Sequence, residues 1–299
     1  MADGARPDIR QDTGGAEALG GHLPPLLVAA ERVAATVAQG VHGRRRVGQG
    51  DSFWQYRPLL PGEAMQRIDW RQSARATAGR HFVRETEWEA AQTALLWRAG
   101  GASMDWRSGP ALPLKRERAE LLLLALAGLL LRGGERVGLL AGEARPVAGR
   151  VGLARLANTL AADALAVDTP IFAEVPRYAT AVLLGDWLGP LEASRTALSA
   201  LAARQVRGHV LQVLDPAEAT LPYAGRVRFA SHDNAATALI GRAESVRGAY
   251  AARLAEQQAG MAAICRAAGF GFGVHRTDHP PQSALLALYA ALAPARGRN

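Results

Sequence analysis

The chain has 299 residues, 49% of them apolar, enough for a sizeable core in about two domains or in one large domain with an appendage. Its formal charge of +8 comes from 35 basic residues against 27 acidic ones, and Lys115 is the only lysine; arginine used in place of lysine, beside abundant Ala and Gly, reads first as a composition bias and second as selection for fork-like anion contacts. A single cysteine, Cys265, excludes an intrachain disulfide and a thiolate metal cage, the polar start excludes a Sec signal, and the longest apolar run, residues 121–131, is about half a bilayer span, so a soluble cytoplasmic protein is expected.

Residues 1–22 read as a disordered tail, rich in Gly and polar residues. "PPLLVAAERVAATVAQG" follows with helical spacing, prolines before it and Gly40 after it. "HGRRRVGQGDSFWQYRPLLPGE" reads as loop with an aromatic cluster at Phe53, Trp54 and Tyr56. "AMQRIDWRQSARA" predicts a short helix and "RHFVRETEWEA" a strand. From residue 91 strands and helices alternate. Strands are predicted at 93–97, 179–185, 208–214 and over "GFGVH" near the end, with a short extended piece at "GRVRF" and a hairpin turning at Gly142-Glu143. Helices are predicted at 115–132, over "VGLARLANTLAADALA", over "PLEASRTALSALAARQV", from about Asn234 to Ala268, and over "SALLALYAALA". The helix at 115–132 has a charged start and a buried body. This alternation implies a mostly parallel, doubly wound sheet. The organisation is then a tail (1–22), an N-terminal appendage of helix, loop and short strand (23–90) and an α/β domain (91–299) that the appendage packs on.

Ligands of such sheets bind beyond the carboxyl ends of the strands, where strand order reverses. Those ends lead here into "RAGGASMD", into Asp186-Trp187, into "DPAE" (Asp215 to Glu218) and into "RTDH" (Arg276 to His279). No G-x-G-x-x-G precedes a helix, and the lone lysine sits in no G-K-[ST], which excludes dinucleotide binding and a P-loop. No G-x-S-x-G surrounds any serine. His275 and His279 have i,i+4 spacing, but prolines break the segment, so they read as a loop pair without metal. Asp215 with Glu218 reads as the cap of a turn or short helix, with an acid pair as the alternative.

The stretch "GRRRVGQGDSFWQYRPLLPGEAMQRIDWRQSARA", followed by "VRETEWE", resembles the domain of unknown function 58 family. The matching residues are Gly48, Gly50, Phe53, Arg57, Pro61, Gly62, Glu63, Arg67, Ile68, Asp69, Trp70, Ala74 and Arg75. "LQVLDPAEATLPYAGRVRF" and the closing "GFGVHRTDHPPQSALLALYAAL" also match, so the resemblance spans about residues 25–293. It implies a von Willebrand factor A-like domain, a fold that usually holds Mg²⁺ through a D-x-S-x-S loop, a second Asp and a Thr. Aligned on that pattern, Ser103 keeps its place, Ala99 and Gly101 stand where the Asp and the first Ser belong, and Asp186 stands for the second carboxylate. No residue could be placed for the Thr. The site is therefore expected to be degenerate and metal-free, with weak Mg²⁺ at Ser103 and Asp186 as the alternative.

Residues 43–84 carry nine arginines against Asp51, Glu63 and Asp69. The bland reading is that Arg67, Asp69, Trp70 and Arg75 tie the appendage to the core. A docking face for an acidic protein comes second and nucleic acid third. The resemblance implies a non-enzymatic interaction module that partners a MoxR-type AAA+ ATPase in chaperone-like assembly or activation. Trp106 and Trp187, beside the strand ends, are its candidate contacts. The rivals are a nucleic-acid binder through 43–84 and a hydrolase using Asp186 or Asp215.

Overall fold

A parallel strand that is apolar on both faces has to be covered on both, and this requirement sets the layering of the chain. The computed structural model describes residues 25–40, 53–59, 65, 68–75, 81–86, 92–140, 145–161, 175–231 and 236–292. The elements in chain order begin with helix α1 (Pro25–Gly40), strand β1 (Phe53–Pro58), a helical turn α2 (Trp70–Ser73) and strand β2 (Phe82–Thr86). Next come β3 (Thr93–Arg98), α3 (Lys115–Arg132), β4 (Arg136–Leu139), α4 (Gly149–Ala161), β5 (Thr180–Gly185) and α5 (Leu191–Ala203). The last are β6 (Arg207–Leu214), α6 (Pro216–Thr220), β7 (Val227–Ala230), β8 (Thr237–Ile240), α7 (Ala243–Ala267), β9 (Phe270–Arg276) and α8 (Pro281–Leu292).

Five strands form one parallel sheet in the order β4-β3-β5-β6-β9. The chain leaves β3 for β4 on one side and returns to build β5, β6 and β9 on the other. Strand order thus reverses between β3 and β5, the position where open α/β sheets bind ligands. From the second residue onward β3 and β5 are buried at every position. α3 packs against α1, α4 and α8, while α5 packs against α7. Leu122 to Leu124 of α3 and Leu198 and Leu201 of α5 all join the same core as the strands. α1 belongs to that core too. Leu27, Ala30, Val33, Ala34 and Val37 recur at helical spacing and are buried in it. Each such Leu or Val contributes about 1.5–3 kcal/mol of burial.

Three expectations need correction. Residues 53–58 are a strand rather than loop. Tyr56 and its neighbours suit a strand, and β1 pairs antiparallel with β2, with an irregularity between Phe53 and Gln55. The helix expected over 64–76 shrinks to the single turn α2, because Ile68 pairs with Val83 in a β-bridge immediately before it. The expected hairpin agrees with the antiparallel bridge between Val137 and Val147, while its tip, 141–144, lies outside the described residues. The long helix expected from Asn234 starts at Ala243, because Thr237–Ile240 pairs antiparallel with β7 as β8. The tail 1–22 and residues 162–166 of the expected fourth helix also lie outside the described residues.

Close approach of β5 and β6 requires Gly208, which faces Ala181 in the ladder. A methyl group there would overlap the Ala181 carbonyl oxygen, a backbone atom that cannot swing aside. Gly208→Ala is expected to cost about 3 kcal/mol, by overpacking, in a urea unfolding titration; an unchanged midpoint would contradict this packing.

Candidate functional site at the carboxyl ends of the sheet

The loop after β3 is pinned at its start. The Ala99 amide donates to the Leu184 carbonyl at 2.8 Å, and Ala99 is itself buried. Gly185 lies so close that a methyl group on it would stand 3.1 Å from the Ala99 methyl. Ala102–Asp105 then forms a 3₁₀ turn containing half-buried Ser103, closed by the Met104 amide on the Gly101 carbonyl at 2.9 Å. Asp105 meets Arg116 at 2.8 Å on the surface. The loop returns through Trp106, half-buried, whose carbonyl accepts from the Lys115 amide at 3.3 Å. The sequence alignment of Ala99, Gly101, Ser103 and Asp186 therefore falls on one strand-end region, but the group at its centre is another.

That group is Lys115, the first residue of α3, whose side chain has no solvent exposure. Its Nζ donates to Glu218 Oε1 at 2.6 Å and to Asp186 Oδ2 at 3.2 Å. Asp186 follows β5 and Glu218 sits on α6, after β6, so one ammonium joins α3 to the ends of two adjacent strands. The helix N-terminus repels a cation, which makes these carboxylates the compensation for placing one there. The charged start of α3 is thus turned inward rather than solvated. Arg118 and Glu120 are buried with Lys115, and Glu120 pairs with the fully buried Arg98 at 2.8 Å.

Asp215 and Glu218 are both committed to holding structure. Asp215, fully buried, accepts from the Ala217 amide at 2.8 Å as the cap of α6 and from the Ser108 amide at 2.9 Å. Glu218 Oε2 accepts from the Asp215 amide at 2.9 Å, completing a capping box. The capping expectation is therefore met. Burial holds the Glu218 carboxyl above its usual range; Lys115 opposes this, and the Asp186 charge adds to it.

A layer of amides from α7 fixes the turn after β5. Gln258 donates to Gln212, whose own amide donates to the Asp186 carbonyl at 2.7 Å. Gln257 donates to the carbonyls of Trp187 and Gly189. Trp187 adopts a φ of 50°, in the left-handed region. Its indole N–H donates to the Leu211 carbonyl at 3.2 Å, and its ring packs 5.6 Å from that of Trp97. Trp187 is turned toward the core, and the neighbouring Leu188 is the exposed apolar residue of this rim.

The β9 end carries no His pair of the metal-binding kind. His275 Nε2 faces Arg118 Nη1 at 3.0 Å, while the His279 backbone carbonyl accepts from the same Arg118 atom at 2.6 Å. Thr277 is buried beside them, and its amide donates to Leu214. Among the described residues, no three His, Cys, Asp or Glu side chains are grouped to hold a metal. Also among them, no helix is long and apolar enough to cross a membrane.

In the N-terminal segment, Ile68 is buried, Asp69 caps α2 through the Gln72 amide at 2.9 Å, and exposed Trp70 stands edge-on to His81 at 5.6 Å. Arg75 is exposed at the end of that turn, and Phe53 and Arg57 lie on β1. Gly48, Gly50, Pro61, Gly62, Glu63 and Arg67 lie outside the described residues. Lys115 and its bond to Glu218 were missed by sequence reasoning, although one signal was available: a lone lysine kept in an arginine-rich chain.

An open α/β sheet with a closed ion cluster at its switch point describes the class. The chain belongs to the family described as "Protein of unknown function DUF58", which its residues 55–260 match. It is similar to the uncharacterized proteins Rv1480 of Mycobacterium tuberculosis and Mb1516 of Mycobacterium bovis. Each is 27% identical over 281 residues, covering 85% of this chain and 86% of the relative. Among solved structures it is similar to BatB from Bacteroides thetaiotaomicron, with a TM-score of 0.36 and 16% identity over 69% of this chain and 100% of that one. An aerotolerance-related membrane protein from Bacteroides fragilis gives a TM-score of 0.40 and 18% identity over 67% of this chain and 98% of that one. Neither likeness is close enough to carry a property across.

Burial and the adjacent Arg118 push the His275 pKa from 6.5 down to about 4. The folded state then binds fewer protons than the unfolded chain between those values, so stability falls as pH drops from about 6.5 to about 4. His275→Gln is expected to flatten that part of the melting-temperature profile. An equally steep profile in the variant would place the acid sensitivity elsewhere.

Proposed function

We propose that this protein is a non-enzymatic interaction module of von Willebrand factor A type, presenting the rim of its strand-end face to a protein partner without an ion bridge. The observation that carries this reading is the internal use of the carboxylates that follow β5 and β6. Asp186 and Glu218 hold Lys115, and both Asp215 oxygens accept backbone amides. A general base needs a free lone pair within reach of substrate, and buried Asp215 offers neither access nor a spare geometry. That weighs against the hydrolase alternative.

The residues also do not fit a hydrated magnesium ion. Ala99 and Gly101 have no side-chain oxygen, and the Lys115 ammonium bonds the carboxylate that remains, Asp186. A hard cation seeks several oxygens at near-octahedral angles. The loops outside the cluster are available for contact: Ser108 and Pro110 are exposed after half-buried Trp106, and Leu188 is exposed after β5. The resemblance of the Pro-Gly and Ile-Asp-Trp segment supplies the kind of partner, a MoxR-type AAA+ ATPase acting in assembly or activation of other proteins.

The rival reading, nucleic acid held by residues 43–84, has one observation in its favour: exposed Trp70 beside exposed Arg71 and Arg75. The two separate in one experiment. Purified MoxR-type ATPase without nucleotide should capture the chain equally in EDTA and in magnesium, and Leu188→Asp should weaken capture about tenfold, or ~1.4 kcal/mol. Loss of capture in EDTA would sink the metal-free reading. Absence of capture, with salt-steep retention of single-stranded DNA, would favour the rival.

A further inference from the structure

The chain has one lysine among 35 basic residues, and that lysine is the one buried at the switch point of the sheet. Whatever bias replaced lysine by arginine elsewhere did not act here. The geometry gives a reason. An ammonium is a compact point charge that two carboxylates from different loops can share, whereas a guanidinium is a broad planar fork. Nζ lies 2.6 Å from one oxygen and 3.2 Å from the other, with no exposed surface, so there is no room for the larger group.

We propose that the Lys115 ammonium is a tethered cation that takes the place of a free ion at the strand ends, and that removing it opens a cation-binding site between Asp186 and Glu218. Two carboxylates, Asp186 and Glu218, converge on this single positive charge, and the Asp215 backbone amide holds Glu218 in place. Both carboxylates are half-buried, and without their cation they keep a desolvation cost that solvent offsets only in part. A void of lysine length bounded by both accepts either a small primary ammonium or a divalent ion. Delivered by α3, the charge needs no supply from solution, and the loop Ala99–Leu114 closes over it with its own amide, Ser108 N, on Asp215. The proposal rests on the metal-free reading of these strand ends and is independent of the ATPase partnership.

The test compares the full-length protein with Lys115→Ala and Lys115→Arg by thermal melting, in EDTA, in millimolar Mg²⁺ or Mn²⁺, and in methylammonium chloride against sodium chloride of equal strength. Wild type should melt at one temperature throughout. Lys115→Ala should melt about 10 °C lower in EDTA and recover about half of that with Mn²⁺ or methylammonium. Lys115→Arg should also melt lower and recover with neither, because its own side chain fills the space.

A Lys115→Ala melting temperature equal to wild type, or lowered and restored by no cation, would overturn the tethered-cation proposal alone. A wild-type melting temperature raised by Mn²⁺ would overturn the metal-free reading with it. Should Lys115→Ala fail to fold, the wild-type protein labelled with ¹⁵N-lysine decides. It has a single side-chain Nζ resonance, expected to exchange slowly with water and to keep its width with stoichiometric Mn²⁺. Fast exchange, or selective broadening by Mn²⁺, would overturn the proposal.

Discussion

A fully buried ammonium must be neutralised where it stands, and Lys115 obtains this from loops that follow two different strands. Desolvating each ion costs ~several kcal/mol, repaid only when geometry and further hydrogen bonds are good. Here they are good. The Glu218 carboxylate accepts from the Asp215 amide, and the Asp186 backbone is held at its carbonyl by Gln212, which itself accepts from Gln258. The cluster therefore does more to specify one arrangement of loops than to add stability. It registers the start of α3, the turn after β5 and the cap of α6 against one another.

The surroundings follow from that constraint. The chain turns sharply after β5, with Trp187 in the left-handed region, so that Asp186 faces α3 while the indole returns to the core against Trp97. Gln257 secures the same turn from α7. Small residues at Ala99 and Gly185 let the first two loops approach within methyl contact.

A strand-end face organised in this way is closed chemistry and open surface. Asp186, Glu218 and Lys115 pair with one another, and Leu188, Ser108 and Pro110 are exposed on the neighbouring loops. The proposed reading, recognition of a protein by this rim, rests on that division.

Much of this was legible in the residues. Apolar runs bounded by turn signals marked β3, β5, β6 and β9, helical spacing marked α1 and α3, and Asp215 with Glu218 spelled out its capping box, because each of these depends on neighbours in the chain. The register of β7 with β8 and the pairing of β1 with β2 were not legible, since ladder partners lie elsewhere in sequence and override local helix or loop preference. The site was half legible. Ala99, Gly101 and Asp186 were placed at the strand ends, and there they lie. Only the fold brought Lys115, 71 positions from Asp186 and 103 from Glu218, between those two carboxylates. The sequence by itself determined which loops follow the strands; the tertiary structure decided what joins them, because an ion pair between distant residues exists only once helix and strands have been placed.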